Sequence, residues 1–467
     1  MNLRNYLTTI MVVAASTFLV ACQTLDLEKL KQNPVFLLKL GDKFNDKVVG
    51  DVRANSESGL LSLGDILDGS LPNGRLGSNF PTVIRSALEK DPVIISARRN
   101  SEAKSAAIVS TEAQKDFQVS GTVYGGIEDI TDDTKGVALA LNASRLVFDG
   151  GLVDAQIAGR RFTADSAKFE LQATINERAL RLGSLWVELE KYKTLQSKIE
   201  SRLAVLDPLI EQLEKVAAAG IGDVSKVTAA QRTVSTIRVA ETNIAEGLAQ
   251  AQLNFINAYG ALPEKVKYDY DFVESYIPSD ITDDLIQKSP LLLSQYATYQ
   301  AGLAKVEAIK AKEEFNVGFE ARAMRPFGGS GYDSDESIGL VARKTLFNGR
   351  TLESELEEAR AIVQVSAENI KATFREGART VQMARQNIVS MDKAILLARK
   401  NAELTADEIV YLKQQLVIGG STLDSVLSAE ARLYDAESKE INFRAEKQKS
   451  KLSILSALGL LSSSLGL

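Results

Sequence analysis

The chain has 467 residues, 45% of them hydrophobic and 6% aromatic, with nine prolines and a formal net charge of -6. This balance suits long helices rich in Ala, Leu, Glu, Lys and Gln better than a large sheet, and the negative charge gives no reason to expect nucleic acid. There is no histidine and a single cysteine, which excludes Ser-His-Asp and Cys-His catalysis, histidine metal ligation, an intramolecular disulfide and any cysteine cluster.

The first segment is targeting sequence. Arg4 gives a positive start, Leu7 to Val20 an apolar run too short and too early for an ordinary membrane span, and Leu19-Val20-Ala21-Cys22 a cleavage site. The four residues resemble a bacterial lipobox, so residues 1–21 are expected to be a signal peptide and Cys22 the lipidated first residue of the mature protein. Gln23 rather than Asp follows it, so no inner-membrane retention signal of the usual kind is present. Residues 22–80, with a Gly/Ser/Asn-rich stretch at 70–79, read as an arm joining the anchor to the body.

From Pro81 the pattern is helical, with Val83, Ile84, Ala87 and Leu88 at helical spacing, a break at Asp91-Pro92 and a further helix to about Lys115. The period then changes to two. Phe117, Val119, Gly121 and Val123 alternate with polar residues, and so do Val137, Leu139, Leu141 and Ala143 after a polar loop. This predicts a β-hairpin over about 117–147, each strand with one apolar and one polar face. Phe148-Asp149-Gly150 closes it.

A helical hairpin is predicted over about 150–260. Its first seam runs through Leu182, Leu185, Leu189, Tyr192, Gln196, Ile199, Leu203, Leu206, Ile210, Leu213 and Ala217 in steps of three and four, which asks for a partner helix along its length. Pro208 either starts a new helical segment or leaves a kink. Gly220-Ile221-Gly222-Asp223 breaks the run, and a second seam returns through Val227, Ala230, Val234, Ile237, Ile244, Leu248, Ala251 and Phe255.

The second half repeats the programme. Pro92 matches Pro290 and Phe117 matches Phe315 at an offset of 198, whereas Phe148 and Phe347, Gly150 and Gly349, Gly220 and Gly419, and Gly260 and Gly459 match at 199. The added residue falls inside the hairpin, where an exposed loop tolerates it. Repeat 1 is thus read as 81–263. Repeat 2 is 264–467, with a β-hairpin over about 315–346 closed by Phe347-Asn348-Gly349 and a helical hairpin over about 349–460.

Four strands cannot close a barrel, yet each is about long enough to cross a bilayer when tilted, and open edges are not tolerated in lipid. Pooling hairpins from several identical chains solves this, and helices of about seventy residues would continue it for on the order of 100 Å. The twice-written hairpin, the Leu-Val-Phe-Asp-Gly-Gly and Thr-Leu-Phe-Asn-Gly-Arg corners and the Gly-turn helix starts resemble the TolC-type outer-membrane efflux protein family over about residues 81–465. The resemblance implies a mainly α fold with a transmembrane β part. Three chains would each give four strands to a twelve-stranded outer-membrane barrel, above a periplasmic α-barrel of antiparallel coiled-coil hairpins. It also implies a homotrimer in outer-membrane lipid, docked to a periplasmic adaptor and an inner-membrane RND or ABC pump, with no cofactor and no enzymatic activity. The exit duct of a type I protein secretion system is the alternative, and a non-channel coiled-coil envelope lipoprotein a remoter one.

By the same resemblance the helical tips dock the adaptor, which singles out Gly220, Ile221, Gly222, Asp223, Ser225, Gly419, Gly420, Ser421 and Thr422. Turn chemistry alone also asks for such residues. The family's acidic entrance ring falls on a stretch with Ser425 and Ser428, and Asp424 lies one position earlier; it either lines the entrance or caps the helix, with capping preferred after the Gly-Gly break. Asn316, Glu320 and Arg322 are expected to face a lumen. Glu128, Asp129, Asp132, Asp133, Asp333, Asp335 and Glu336 are expected in the hairpin loops.

Overall fold

The computed structural model describes residues 76–77, 79–127, 135–219, 224–327 and 334–466. Two units emerge: a strand unit containing 114–149 and 315–344, and a helical unit containing 69–113, 150–314 and 345–467.

In the helical unit, α1 (Phe80–Glu89) is capped by the Asn79 side chain, which accepts from Thr82 N at 3.0 Å. Asp91 caps α2 (Pro92–Glu112) in the same way, and a short 3-10 turn, Ala113–Lys115, follows. The expected break at Asp91-Pro92 is therefore a cap followed by a proline at the first helical position, where its missing N–H costs nothing. The long helix α3 (Leu152–Ala218) contains Pro208 without interruption, so it neither ends nor restarts there. After it come α4 (Val224–Tyr259), two short helices that periodicity did not predict, α5 (Tyr270–Ser275) and α6 (Asp283–Gln287), and then α7 (Pro290–Ala311). The second long helix, α8 (Thr351–Val417), is followed by α9 (Leu423–Ala457) and α10 (Leu460–Ser464). Both long helices have 67 residues.

The seams face inward as their spacing requires. Ile199, Leu203 and Leu206 of α3, with Leu195, bury against Ala230, Ile237 and Ile244 of α4 and Leu427 of α9, while Ile409 of α8 meets Ala429 and Leu433 of α9. An aromatic cluster ties α1, α3, α4 and the following segment together. Phe80 stands edge-on to Trp186 and Tyr268, Trp186 edge-on to Phe255, and the Tyr259 hydroxyl donates to the Leu182 carbonyl at 2.9 Å. Leu76 forms a bridge to Pro263 and packs on this core, and Phe80 is buried in it. The end of the expected arm is thus part of the helical body.

The strand unit is one antiparallel sheet in the order β1 (Gln118–Ile127), β2 (Lys135–Phe148), β3 (Asn316–Phe327), β4 (Asp335–Arg343). Both expected hairpins form, and they join each other through β2 and β3. The second ends earlier than expected, at Arg343 rather than residue 346. Arg343 stands opposite Asn316, where β3 begins, so among the described residues no strand residue lies opposite Leu346, whereas β2 follows β3 through a register shift as far as Phe148.

Among the described residues no helix is long and apolar enough to cross a membrane.

Candidate functional site

The sheet has two chemically different faces. Directly opposed residues share a face, so the register puts Val119, Val123, Leu139, Leu141, Ala143, Ala321, Ile338 and Leu340 on one side, and Gln118, Ser120, Thr122, Asn142, Ser144, Glu320, Arg322 and Arg343 on the other. Apolar residues of the first face are exposed, Val119 at 72% and Ile338 at 75%. On the second face the guanidinium of Arg343 pairs with Glu320, and Arg322 approaches Asp335 at 3.8 Å. Asp335 and Glu336, expected in a loop, are strand residues on opposite faces, and Glu336 pairs with Arg325 across the ladder. Arg322 and Arg325 lie within reach on β3, so the acids extend the strand instead of decorating its loop. Glu128, Asp129, Asp132, Asp133 and Asp333 lie outside the described residues.

The two corners differ in detail. Phe148 ends β2 at a register shift, and Asp149 is buried beyond it. Gly150 and Gly151 take φ of +66° and +87°, and a Cβ on Gly150 would lie 2.3 Å from that of Glu314. At the second corner Phe347 is exposed, and the Asn348 carbonyl accepts from the Thr351 backbone N–H and hydroxyl. Gly349 has φ +63°, and the position equivalent in spacing to Gly151 is Arg350, the one described non-glycine residue with positive φ, at +70°. A left-handed L-residue costs about 1–2 kcal/mol, and the ion pair of Arg350 with Glu353, at 4.0 Å, is exposed and returns little. Arg350→Gly is therefore expected to raise stability by about 1 kcal/mol, seen as a later urea midpoint at unchanged slope. An unchanged or earlier midpoint would contradict this.

Of the helical tips, the one between α8 and α9 is described. Gly419 is left-handed, its N–H bonded to the Leu416 carbonyl at 3.3 Å, and the Gly420 N–H reaches the Gln415 carbonyl at 2.8 Å. This pair of bonds satisfies the end of α8. The cap of α9 is Thr422, whose side chain accepts from Ser425 N at 3.3 Å and bonds the Ser425 hydroxyl at 2.9 Å. Asp424 is not the cap: it lies in the first turn, half-buried, where a carboxylate favours the helix dipole. A cap must precede the first helical residue, and Thr422 holds that place. Ser421 and Ser428 are half-buried, and Val417 and Ile418 beside them are exposed above 80%. On the other tip Ser225 is exposed in the first turn of α4; Gly220, Ile221, Gly222 and Asp223, like Cys22, lie outside the described residues.

A charge network close to the described tip escaped sequence reasoning. Glu430 of α9 is 2% exposed and receives Arg202 of α3 at 3.3 Å and Lys413 of α8 at 2.8 Å. Arg202 also forks onto Glu437 at 2.8 and 3.2 Å, with Lys198 at 3.2 Å. The signal was available: Lys198 and Arg202 are four apart and Glu430 and Glu437 seven apart, so each pair shares a helix face. Further along the same two helices, Lys449 reaches Glu188 at 2.5 Å. Burial pushes the Glu188 carboxyl up, but Lys191 and Lys449 outweigh it and hold the group below its ordinary value.

A second feature missed is an exposed apolar stripe on α8. Met383, Leu397, Leu404 and Tyr411, with Ile418 just past the end of the helix, recur at multiples of seven, flanked by Leu396, Val410 and Val417. It is a second seam beside the buried one through Val381, Ala384, Ala398 and Ile409.

No family model matches the chain, and no curated protein matches it significantly by sequence. Solved structures do. CusC, studied for conformational changes accompanying folding and transmembrane channel formation, superposes with a TM-score of 0.71 at 16% identity, over 83% of this chain and 93% of that one. The chain has the outer-membrane channel fold. The outer membrane protein VceC from Vibrio cholerae matches it with a TM-score of 0.69 at 17% identity, over 81% of this chain and 95% of VceC. The open-state MtrE outer membrane channel of Neisseria gonorrhoeae does so with 0.69 at 14%, over 81% and 88%. Within this outer-membrane channel fold, the two-faced sheet and the α8–α9 tip are the elements the sequence singled out.

Proposed function

We propose that the chain is one protomer of a homotrimeric outer-membrane efflux channel of the TolC type, the passive exit duct of a tripartite system. The observation that carries this is a sheet whose apolar face is exposed and whose outer strands, β1 and β4, each lack a second partner among the described residues. Such edges are costly in lipid, and three copies joined edge to edge give twelve strands with none open. The polar face, with Glu320, Arg322 and Arg343, then lines water. The stripe on α8 supplies the corresponding seam for a neighbouring protomer's helices.

On this reading residues 1–21 are a cleaved signal and Cys22 carries lipid. Residues 81–263 and 264–467 are duplicated halves, in keeping with the equal lengths of α3 and α8. The tips, with Gly220 to Asp223, Ser225 and Gly419 to Thr422, dock a periplasmic adaptor; Asp424, Ser425 and Ser428 line the entrance. The sheet argues against a non-channel coiled-coil lipoprotein, which needs no strands.

The test is conductance of the purified full chain in a planar bilayer, with its mass measured in detergent. Pores from a species of three chains are expected. A monomer, or a trimer that conducts nothing even when its tips are loosened, would sink the proposal. Co-purification of the native adaptor and pump separates drug efflux, with an RND partner, from type I protein secretion, with an ABC partner.

A further inference from the structure

The apolar face of the sheet carries cations that its own acids do not neutralise. Arg145 is opposite Phe319 in the ladder, its guanidinium 5.2 Å from the centre of the Phe117 ring, and the two rings meet edge-on at 6.2 Å. Two rows nearer the end that joins the helices, the Lys344 ammonium lies 4.9 Å from the centre of the Phe315 ring. Among the described residues the ion pairs of the sheet are Glu320–Arg343, Arg322–Asp335 and Arg325–Glu336, and none uses Arg145 or Lys344. At the opposite rim of this same face Arg325 has Glu336 as its carboxylate.

Height decides what the unmatched cations face. From the row of Phe315 to that of Arg325 is ten residues, about 34 Å along a strand and about 25 Å at the tilt of a membrane barrel, the thickness of its apolar band. The two charged rows therefore fall at the two interfaces, with apolar residues between. Arg145 lies inside the lower row, but its Nε points back to the Lys115 carbonyl at 3.4 Å, the direction in which a long cationic side chain reaches headgroups. An unpaired cation over an aromatic ring at a membrane interface is complementary to a phosphate.

We propose that Arg145 and Lys344, seated on Phe117 and Phe315, form a binding site for the phosphate of an anionic phospholipid headgroup, in the leaflet at the helix-joined end of the strands. This rests on the membrane reading of the sheet. At the other rim Arg325 is instead answered by Glu336.

Native mass spectrometry of the full chain purified with equal phosphatidylglycerol and phosphatidylcholine tests it, with conductance recorded on the same samples. The wild type is expected to retain phosphatidylglycerol preferentially, each cation contributing about fivefold. Arg145→Gln with Lys344→Gln should abolish the preference while conductance persists, and Arg325→Gln should leave it in place. Conducting double-variant channels that keep the full preference would overturn the site. Absence of conductance in the wild type and every variant would instead overturn the membrane reading beneath it.

Discussion

Arg202→Leu is expected to lower the stability of the helical unit by about 3 kcal/mol. Glu430 is 2% exposed, and without Arg202 it keeps only Lys413, a side chain 43% exposed and free to turn toward water. Glu437 loses its forked partner in the same step and retains Lys198 at 3.2 Å. Removing one member of a buried pair leaves a charge stripped of solvent, which is why the cost exceeds that of an exposed pair. Urea unfolding followed by circular dichroism checks it. Arg202→Lys should fall between, since an ammonium cannot fork onto two carboxylates, and pairing Arg202→Leu with Glu430→Leu should recover much of the loss. A single leucine variant as stable as the wild type would contradict the assignment. Because the network ties α3 to α8 and α9 next to their turn, the same variant should also raise mean conductance in the bilayer experiment.

Gly459→Ala should cost a similar amount, about 3 kcal/mol, for a steric reason. Gly459 has φ +76°, and a Cβ there would lie 2.2 Å from Cδ and 2.6 Å from Cγ of Pro290. The proline ring is the first residue of α7 and cannot swing aside. Overpacking of this kind costs about 1–3 kcal/mol, to which a left-handed alanine adds about 1–2. Gly419→Ala provides the contrast: its φ is +82°, with nothing within 4 Å of the added carbon, so only the conformational part, about 1 kcal/mol, is expected. Equal losses in the two variants would mean that the Pro290 contact does not matter.

The sequence disclosed these features unevenly, and the reasons are physical. Alternation with period two is unambiguous in Phe117 to Val123 and in Asn316 to Arg322, so both hairpins and both faces were legible. The heptad seams were legible for the same reason, since Leu189, Ile199 and Leu203 or Val381, Ala384 and Ile409 repeat over many turns. Strand ends were not: whether Leu346 joins a ladder depends on where β3 begins opposite it, which the local pattern of β4 does not report. Short helices such as α5 span too few residues to show a period. Asp424 and Thr422 are both good caps, and only backbone geometry at Leu423 chose between them. The Arg202, Glu430 and Glu437 network needs α3 and α9 at one level, information carried by packing. The stripe on α8 was written in the sequence, but its heptad spacing is the same as that of the buried seam beside it, and spacing alone does not say how many partner helices there are.

The pairing of β2 with β3 also has a consequence in time. About 170 residues separate Phe148 from Asn316, and at roughly 5–20 residues per second they take about ten to thirty seconds to synthesise. During that interval the β2 segment has no β3 to pair with, beside Val119, Val123 and Leu141, which even the complete sheet leaves exposed. A bare edge beside apolar residues is a template for wrong pairing. The order of the chain therefore asks for a holding factor that shields one hairpin until the other arrives.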